Sequence, residues 1–123
     1  MKVYIATKWE NKRGAQNAAQ ILEAKGYEVT HRWFEAGVEE GFNLRECAEN
    51  DLEGVRAADV FVLLSYPHKR GAFVEMGYFL AAHPGAPVYV VTEPLYGNVY
   101  WCIFNELPNV FTISSLDKIP PDE

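Results

Sequence analysis

The sequence predicts an α/β fold built on a parallel sheet, because three observations agree. Apolar segments typical of strands alternate with segments of helical spacing, and the connections between them are short. The segment Asp59–Ser65 holds a continuous apolar run, which is typical of a strand that helices cover on both faces. The length of 123 residues suits one core, so we expect a single domain over residues 1–123.

Five segments are predicted to be strands. Tyr27–Trp33 alternates between apolar and polar residues, whereas the other four are short apolar runs. In chain order the predicted strands are Lys2–Thr7, Tyr27–Trp33, Asp59–Ser65, Val88–Thr92 and Val110–Ile113.

Apolar residues recur at helical spacing between these strands, and Gly26 marks the end of the first helix. The predicted helices are Ala15–Lys25, Leu44–Ala58, Ala72–Ala82 and a short one at Val99–Phe104. We expect Phe34–Asn43 to be a loop and the proline-containing tail Ile119–Pro121 to be loosely held.

Five strands of this kind fit a flavodoxin-like, doubly wound sheet with the order 2-1-3-4-5. Ligands of such sheets bind at the carboxyl ends of the strands, beside the point where the strand order reverses. In this chain the loops at that edge are Lys8–Gly14, Tyr66–Gly71 and Glu93–Asn98.

Composition excludes several classes of protein. A hydrophobic fraction of 49% argues against a disordered chain, and a formal net charge of -6 argues against binding to a nucleic acid polymer. We find no signal-peptide pattern and no apolar run near the roughly 20 residues that span a bilayer, so we expect a soluble, cytoplasmic protein with no membrane partner. Two cysteines and three dispersed histidines predict neither a disulfide framework nor a metal site, and we expect no cofactor.

Glu75 breaks the pattern of its segment, because it is the only formally charged residue between Gly71 and Thr92. A carboxylate in apolar surroundings is costly unless something compensates for it. The amino end of the predicted helix favours the ionised form, which is suited to be a nucleophile or to stabilise a cation. The alternative is a solvated glutamate that only complements the helix dipole.

Asp51 lies four residues from both Cys47 and Val55, so it borders the apolar stripe of its helix. A solvated carboxylate at the edge of that stripe is the ordinary alternative. If Asp51 and Glu75 faced one pocket, however, they would form the carboxylate pair that glycosyl transfer uses.

Basic residues lie in two of the three predicted ligand loops, which favours an anionic group such as phosphate, although solvated loop lysines are an equal alternative. These residues are Lys8, Lys12, Arg13, Lys69 and Arg70. Gly71 and Gly77 flank Glu75 and allow the backbone to approach a ligand or a neighbouring element.

Four stretches carry a resemblance. They are Lys2-Val3-Tyr4-Ile5-Ala6 followed by Trp9, Asn50-Asp51-Leu52-Glu53-Gly54-Val55, Ala58-Asp59-Val60-Phe61-Val62-Leu63 and Gly71-Ala72-Phe73-Val74-Glu75-Met76-Gly77-Tyr78. In this order they resemble the nucleoside 2-deoxyribosyltransferase family and the related nucleotide N-glycosidases, whose domain has the same predicted fold.

The resemblance implies a role for each matching residue. Glu75 would attack the anomeric carbon and form a glycosyl-enzyme, and Tyr4 would orient Glu75 through a hydrogen bond. Asp51 would hold the sugar hydroxyls and help to protonate the departing base, while the loop containing Trp9 would touch the base. The family assembles as homodimers or larger homo-oligomers, in which a neighbour supplies an asparagine; Asn98, Asn105 and Asn109 are candidates, and we select Asn98.

Lys8 and Lys69 depart from the family pattern, because each stands where the hydrolases use a small phosphate-binding residue. They favour an anionic nucleotide substrate over a plain nucleoside. We therefore expect an enzyme that cleaves or exchanges the N-glycosidic bond of a nucleoside, a deoxynucleoside or a 5′-monophosphate of either. A non-catalytic nucleotide-binding module and a glycohydrolase of NAD or ADP-ribose are the alternatives.

Overall fold

The computed structural model describes residues 1–36, 43–66, 70–92 and 102–122. Within them, five strands form one parallel sheet in the order β2-β1-β3-β4-β5, flanked by helices. The strands are β1 (Lys2–Ala6), β2 (Glu28–Val29), β3 (Val60–Leu64), β4 (Val88–Val91) and β5 (Val110–Ile113). The helices are α1 (Lys12–Ala24), α2 (Leu44–Ala57) and α3 (Arg70–Ala82). This arrangement confirms the predicted flavodoxin-like fold.

The core lies on both faces of the central strands. All five residues of β3 are buried, and so are residues 3–6 of β1, as the continuous apolar patterns predict. The two strands pair in parallel as far as Ala6 and Leu63, so their carboxyl ends meet at one edge of the sheet. The loops and helices that follow them are thereby brought together above that edge.

The second strand is shorter than predicted, because β2 ends at Val29 and a 3-10 turn occupies Trp33–Glu35. Trp33 and Phe34 are both buried, and two consecutive buried side chains fit a tight turn better than an alternating strand. The indole of Trp33 also donates a 2.8 Å hydrogen bond to the carbonyl of Ile5. The prediction of a strand as far as Trp33 was therefore wrong.

Two further boundaries differ from the prediction. Helix α1 begins at Lys12, three residues before the predicted start, and follows directly on a 3-10 turn at Trp9–Asn11. In place of the end of the predicted helix Val99–Phe104, a 3-10 turn spans Ile103–Glu106. Residues 99–101 lie outside the described part of the chain.

The tail is held against the body of the protein, so the prediction that it is loose was wrong. Ile119 is buried, which anchors the tail through an apolar side chain. The ammonium group of Lys25 donates a 2.8 Å hydrogen bond to the carbonyl of Ile119, and the hydroxyl of Tyr27 donates one of 2.7 Å to that of Pro120. The prolines restrict the backbone of the tail but leave these carbonyls free to accept hydrogen bonds.

Candidate active site

Tyr4 and Glu75 meet where α3 packs against β1. Tyr4 is fully buried in the middle of β1, with its ring stacked on Phe61 at a centroid distance of 5.7 Å. Its hydroxyl donates a 2.6 Å hydrogen bond to Oε2 of Glu75. This is the contact that the family resemblance implies, and it holds the carboxyl group of Glu75 at the carboxyl edge of the sheet.

Asp51 reaches the same place from α2. The N-terminus of this helix is capped by Asn43, whose side-chain oxygen accepts a 3.1 Å hydrogen bond from the backbone N–H of Glu46. One turn after Asp51, a Cβ on Gly54 would lie 2.7 Å from the Cβ of His31 and 3.2 Å from the ring of Tyr4. Glycine therefore lets α2 lie close to β1. At this separation the carboxyl group of Asp51 is within hydrogen-bonding distance of Glu75.

His31 completes the set of contacts, and the sequence analysis did not identify it. Its Nε2 lies 3.1 Å from Oδ1 of Asp51, and less than a third of either side chain is exposed. His31 follows β2 at the carboxyl edge of the sheet, where ligands of such folds bind. The predicted strand Tyr27–Trp33 included His31, so its place in the segment after the strand was not recognised.

Burial of Glu75 raises its pKa to about 8, and the nearby charge of Asp51 raises it as well. The hydrogen bond from Tyr4 acts in the opposite direction and lowers it. The expectation that the helix dipole keeps this carboxylate ionised was therefore wrong. Glu75 is the sixth residue of α3, and the influence of the dipole fades beyond the first turn.

The pKa of Tyr4 is raised well above its ordinary value, because the hydroxyl is buried and lies close to the charges of Glu75 and Asp51. The phenol therefore keeps its proton at neutral pH and is a donor to Glu75 there. A carboxyl group that accepts this hydrogen bond and contacts a second carboxyl group is built to share a proton with it.

A cavity of about 460 Å³ opens beside Asp51. Its described lining residues are Trp9, His31, Arg32, Trp33, Ala36, Leu44, Cys47, Asn50 and Asp51. Glu75 is not among them, so within the described residues it is the contact with Asp51 that links the buried pair to this space. The rings of Trp9 and Trp33 lie 6.0 Å apart in the wall, and only that of Trp9 is partly exposed to a flat ligand.

Two basic residues of the first loop, Lys8 and Lys12, have partners within the chain. The ammonium group of Lys8 lies 3.7 Å from the carboxylate of Glu10. That of Lys12 donates a 2.9 Å hydrogen bond to the carbonyl of Ala36 and lies 3.9 Å above the ring of Trp9. Arg32, in the cavity wall, is paired with two glutamates of its own chain.

Two predicted substrate-binding residues, Lys69 and Asn98, lie outside the described residues. Gly71 is exposed in the first turn of α3, where a Cβ would meet none of the described atoms within 4 Å. Of the other two asparagine candidates, Asn109 donates a 2.8 Å hydrogen bond to the carbonyl of Ala86, and Asn105 accepts a 3.4 Å hydrogen bond from the thiol of Cys102. Both are engaged within this chain.

A second cavity, of about 600 Å³, lies between α3 and the turn Ile103–Glu106. Its described lining residues are Phe73, Met76, Gly77, Leu80, Ala81, Cys102, Phe104 and Leu107. This lining is apolar and holds neither carboxyl group, whereas Asp51 lies in the wall of the first cavity. In the described ranges, no group of three potential metal-ligating side chains occurs, and no helix is long and apolar enough to cross a membrane.

Comparison with protein-family models found no match, and a search of curated proteins likewise found none. Solved structures, in contrast, match over nearly the whole chain. A CMP N-glycosidase of Clostridium botulinum, BcmB, matches with a TM-score of 0.67 and 18% identity, over 95% of this chain and 92% of that one.

A 2-deoxyribosyltransferase from the psychrotolerant bacterium Bacillus psychrosaccharolyticus matches with a TM-score of 0.70 and 19% identity, over 100% of this chain and 93% of that one. A conserved protein of Enterococcus faecalis V583 matches with a TM-score of 0.61 and 18% identity, over 95% of this chain and 92% of that one. At this level of identity the likeness is one of fold. The chain therefore has the fold shared by a CMP N-glycosidase and a 2-deoxyribosyltransferase, in agreement with the resemblance in its sequence.

Proposed function

We propose that this protein is an enzyme of the nucleoside 2-deoxyribosyltransferase and nucleotide N-glycosidase type. It cleaves or exchanges the N-glycosidic bond of a nucleoside, a deoxynucleoside or a 5′-monophosphate of either, through a covalent glycosyl-Glu75 intermediate. One observation carries the proposal: Tyr4, Glu75 and Asp51 form a continuous hydrogen-bonded line, and Asp51 lies in the wall of a cavity at the carboxyl edge of the sheet.

The first step depends on the proton that Glu75 and Asp51 share. With a pKa near 8, Glu75 holds a proton in the resting protein at neutral pH. That proton passes to Asp51 as Glu75 attacks the anomeric carbon, while the hydroxyl of Tyr4 stabilises the carboxylate. The bond from the anomeric carbon to the base nitrogen breaks, the electron pair stays with the base, and Asp51 gives the proton to it.

The second step reverses these roles. Water or a second base attacks the anomeric carbon and releases Glu75 as a carboxylate. Asp51, now ionised, takes the proton of the attacking group, and the pair returns to its singly protonated state. The same two carboxyl groups thus serve both hydrolysis and base exchange, and the identity of the acceptor decides between them.

The substrate enters the cavity beside Asp51, where the partly exposed ring of Trp9 supports stacking of the base. Lys8 and Lys69 favour a 5′-monophosphate over a nucleoside, with the phosphate at the loops after β1 and β3. We also propose that the protein is a homodimer or a larger homo-oligomer, in which Asn98 reaches a neighbouring site. Exposed apolar side chains support self-association: Val74 on α3, and Ile103 and Phe104 in the turn Ile103–Glu106 after β4.

Incubation with a 2-fluoro-2-deoxyarabinosyl nucleotide, followed by intact-mass measurement, tests the proposed intermediate. The fluorine slows release of the sugar, so we expect an adduct of one fluorosugar phosphate on the unmodified chain and none on Glu75→Gln. Glu49→Gln is the matched control, since Glu49 is an exposed glutamate of α2 that pairs with Arg45, and this variant keeps the adduct. Undiminished base release by Glu75→Gln would exclude Glu75 as the nucleophile.

A further inference from the structure

His31 makes a contact with Asp51 that has no part in the two proposed steps. Its imidazole approaches Asp51 from the side of β2, whereas Glu75 approaches from α3, so the carboxyl group of Asp51 lies between the two. His31 and Asp51 also line the same cavity. An imidazole here is therefore in contact with the one carboxyl group that would exchange a proton with the departing base.

The position of His31 is set by its surroundings. The missing side chain of Gly54 provides the space that the Cβ of His31 occupies. The neighbouring residue, Thr30, donates a 2.8 Å hydrogen bond from its hydroxyl to the carbonyl of Gly54, which holds this segment against α2. These contacts of His31 Cβ and of Thr30 with Gly54 fix the backbone of the segment, and the imidazole extends from it to Asp51.

In the hydrogen bond between His31 and Asp51, the carboxylate of Asp51 is the acceptor. Asp51 is the charged member that raises the pKa of Glu75, and an ionised carboxylate can only accept hydrogen bonds. Nε2 of His31 must therefore carry the proton in this contact, which stands at 3.1 Å. Such a bond fixes the plane of the carboxylate and occupies its Oδ1 atom.

We propose that His31 is a positioning residue that orients Asp51 for proton transfer to the leaving base. The inference rests on the proposed function and deepens it. Held by His31 at Oδ1, the carboxylate of Asp51 presents its remaining lone pairs to Glu75 and then to the base. Without this contact, the carboxyl group of Asp51 turns freely in a cavity open to water, so the proton reaches the base less often.

The test compares two leaving groups. An unmodified purine needs a proton as it departs, whereas an N7-methylated purine already carries a positive charge and leaves without one. For a deoxyguanosine 5′-monophosphate we expect His31→Ala to lower kcat roughly 30-fold with little change in KM, and for its N7-methyl counterpart to lower it less than about threefold. His31→Gln places an amide N–H near the position of Nε2 and restores most of the rate.

A control separates this role from a general effect on folding. His83 bonds the carbonyl of Arg56 through its Nε2 at 2.7 Å, remote from Asp51 in the chain and without a place in the cavity wall. We therefore expect His83→Gln to have the same kcat as the unmodified protein on both substrates. An equal loss on both substrates in His31→Ala, or no rescue by His31→Gln, would overturn the inference while leaving the proposed function standing.

A protein that releases no base would contradict the proposed function. A measurement that needs no turnover still tests the contact between His31 and Asp51. Nitrogen-15 NMR of the intact chain reports which ring nitrogen of His31 carries the proton. We expect the Nε2–H form in the unmodified protein and a loss of this preference in Asp51→Ala. A His31 ring protonated only on Nδ1 would show that it does not donate to Asp51.

Discussion

Tyr4 and Glu75 are 71 positions apart in the chain, and their side chains are joined by a hydrogen bond of 2.6 Å. The phenol is fully buried and the carboxyl group is partly so, which makes this bond stronger than its counterpart in water. It is also the single described interaction that lowers the pKa of Glu75, against burial and the charge of Asp51, which raise it. Tyr4 thus tunes the proton that the proposed reaction moves.

Replacing Tyr4 by phenylalanine removes that donor while keeping the ring stacked on Phe61. We expect kcat to fall roughly tenfold or more, because a hydrogen bond to the developing carboxylate is lost. The alkaline limb of kcat/KM, where the shared proton is lost, moves to higher pH as the pKa of Glu75 rises further above 8. Tyr27→Phe is the control, since it loses only the bond to Pro120 and leaves the pH profile in place.

Replacing Glu75 by glutamine is expected to stabilise the protein at alkaline pH. Between pH 4.5 and about 8 the native carboxyl binds more protons than the unfolded one, so the stability of the unmodified chain falls as pH rises through this window. Glutamine has no proton to lose, accepts from Tyr4 and donates to Asp51. The gain in Tm over the unmodified protein therefore grows from near zero at pH 4.5 to roughly 5 °C at pH 8.

Thermal scans at several pH values check this prediction, with Glu49→Gln as the exposed control. A gain for Glu75→Gln that shrinks toward alkaline pH would contradict the raised pKa of Glu75.

Replacing Gly54 by alanine tests the close approach of α2 to β1. The added Cβ would lie 2.7 Å from the Cβ of His31, so either α2 or the His31 segment must shift. We expect a loss of about 1–3 kcal/mol in the free energy of unfolding, together with lower activity, because Asp51 is displaced from Glu75.

The matched variant is Gly77→Ala in α3, where a Cβ meets no atom of the described residues within 4 Å. Alanine favours a helix over glycine, so this variant gains about 0.5–1 kcal/mol in urea unfolding. Equal effects at the two positions would mean that packing at Gly54 has no special role.

The proposed preference for a phosphorylated substrate is tested through Lys8 and Lys69. We expect the unmodified protein to release base from 5′-monophosphates roughly tenfold faster, in kcat/KM, than from nucleosides. Lys8→Ala and Lys69→Ala narrow that ratio by slowing monophosphates alone, whereas Lys118→Ala, on an exposed turn, leaves it unchanged. Equal rates on both substrate classes in the unmodified protein would remove the argument for phosphate binding.

Much of the architecture was predictable because periodicity reports burial directly. The continuous apolar run of β3 indicated a strand covered on both faces, and Glu75 was conspicuous in an apolar helix. Prediction was less successful where contacts between distant parts of the chain determine the local structure. The buried Ile119 holds a tail that its prolines suggested was loose, and the turn at Trp33 ends a strand that alternation extended too far.

The protonation of the candidate site could not be read from the chain for the same reason. The pKa of Glu75 depends on burial and on Asp51, which lies 24 positions away and on another helix. His31 went unrecognised because its partner is brought to it by the glycine at position 54, through a packing constraint that spacing alone does not reveal.

The four joined side chains come from four separate pieces of the fold: Tyr4 from β1, His31 from the segment after β2, Asp51 from α2 and Glu75 from α3. No stretch shorter than 72 residues contains all of them, and none of the pairs is local in the chain. Catalytic competence should therefore be the last property to return during refolding, after helical circular dichroism has recovered, because it waits for both helices to dock on the sheet.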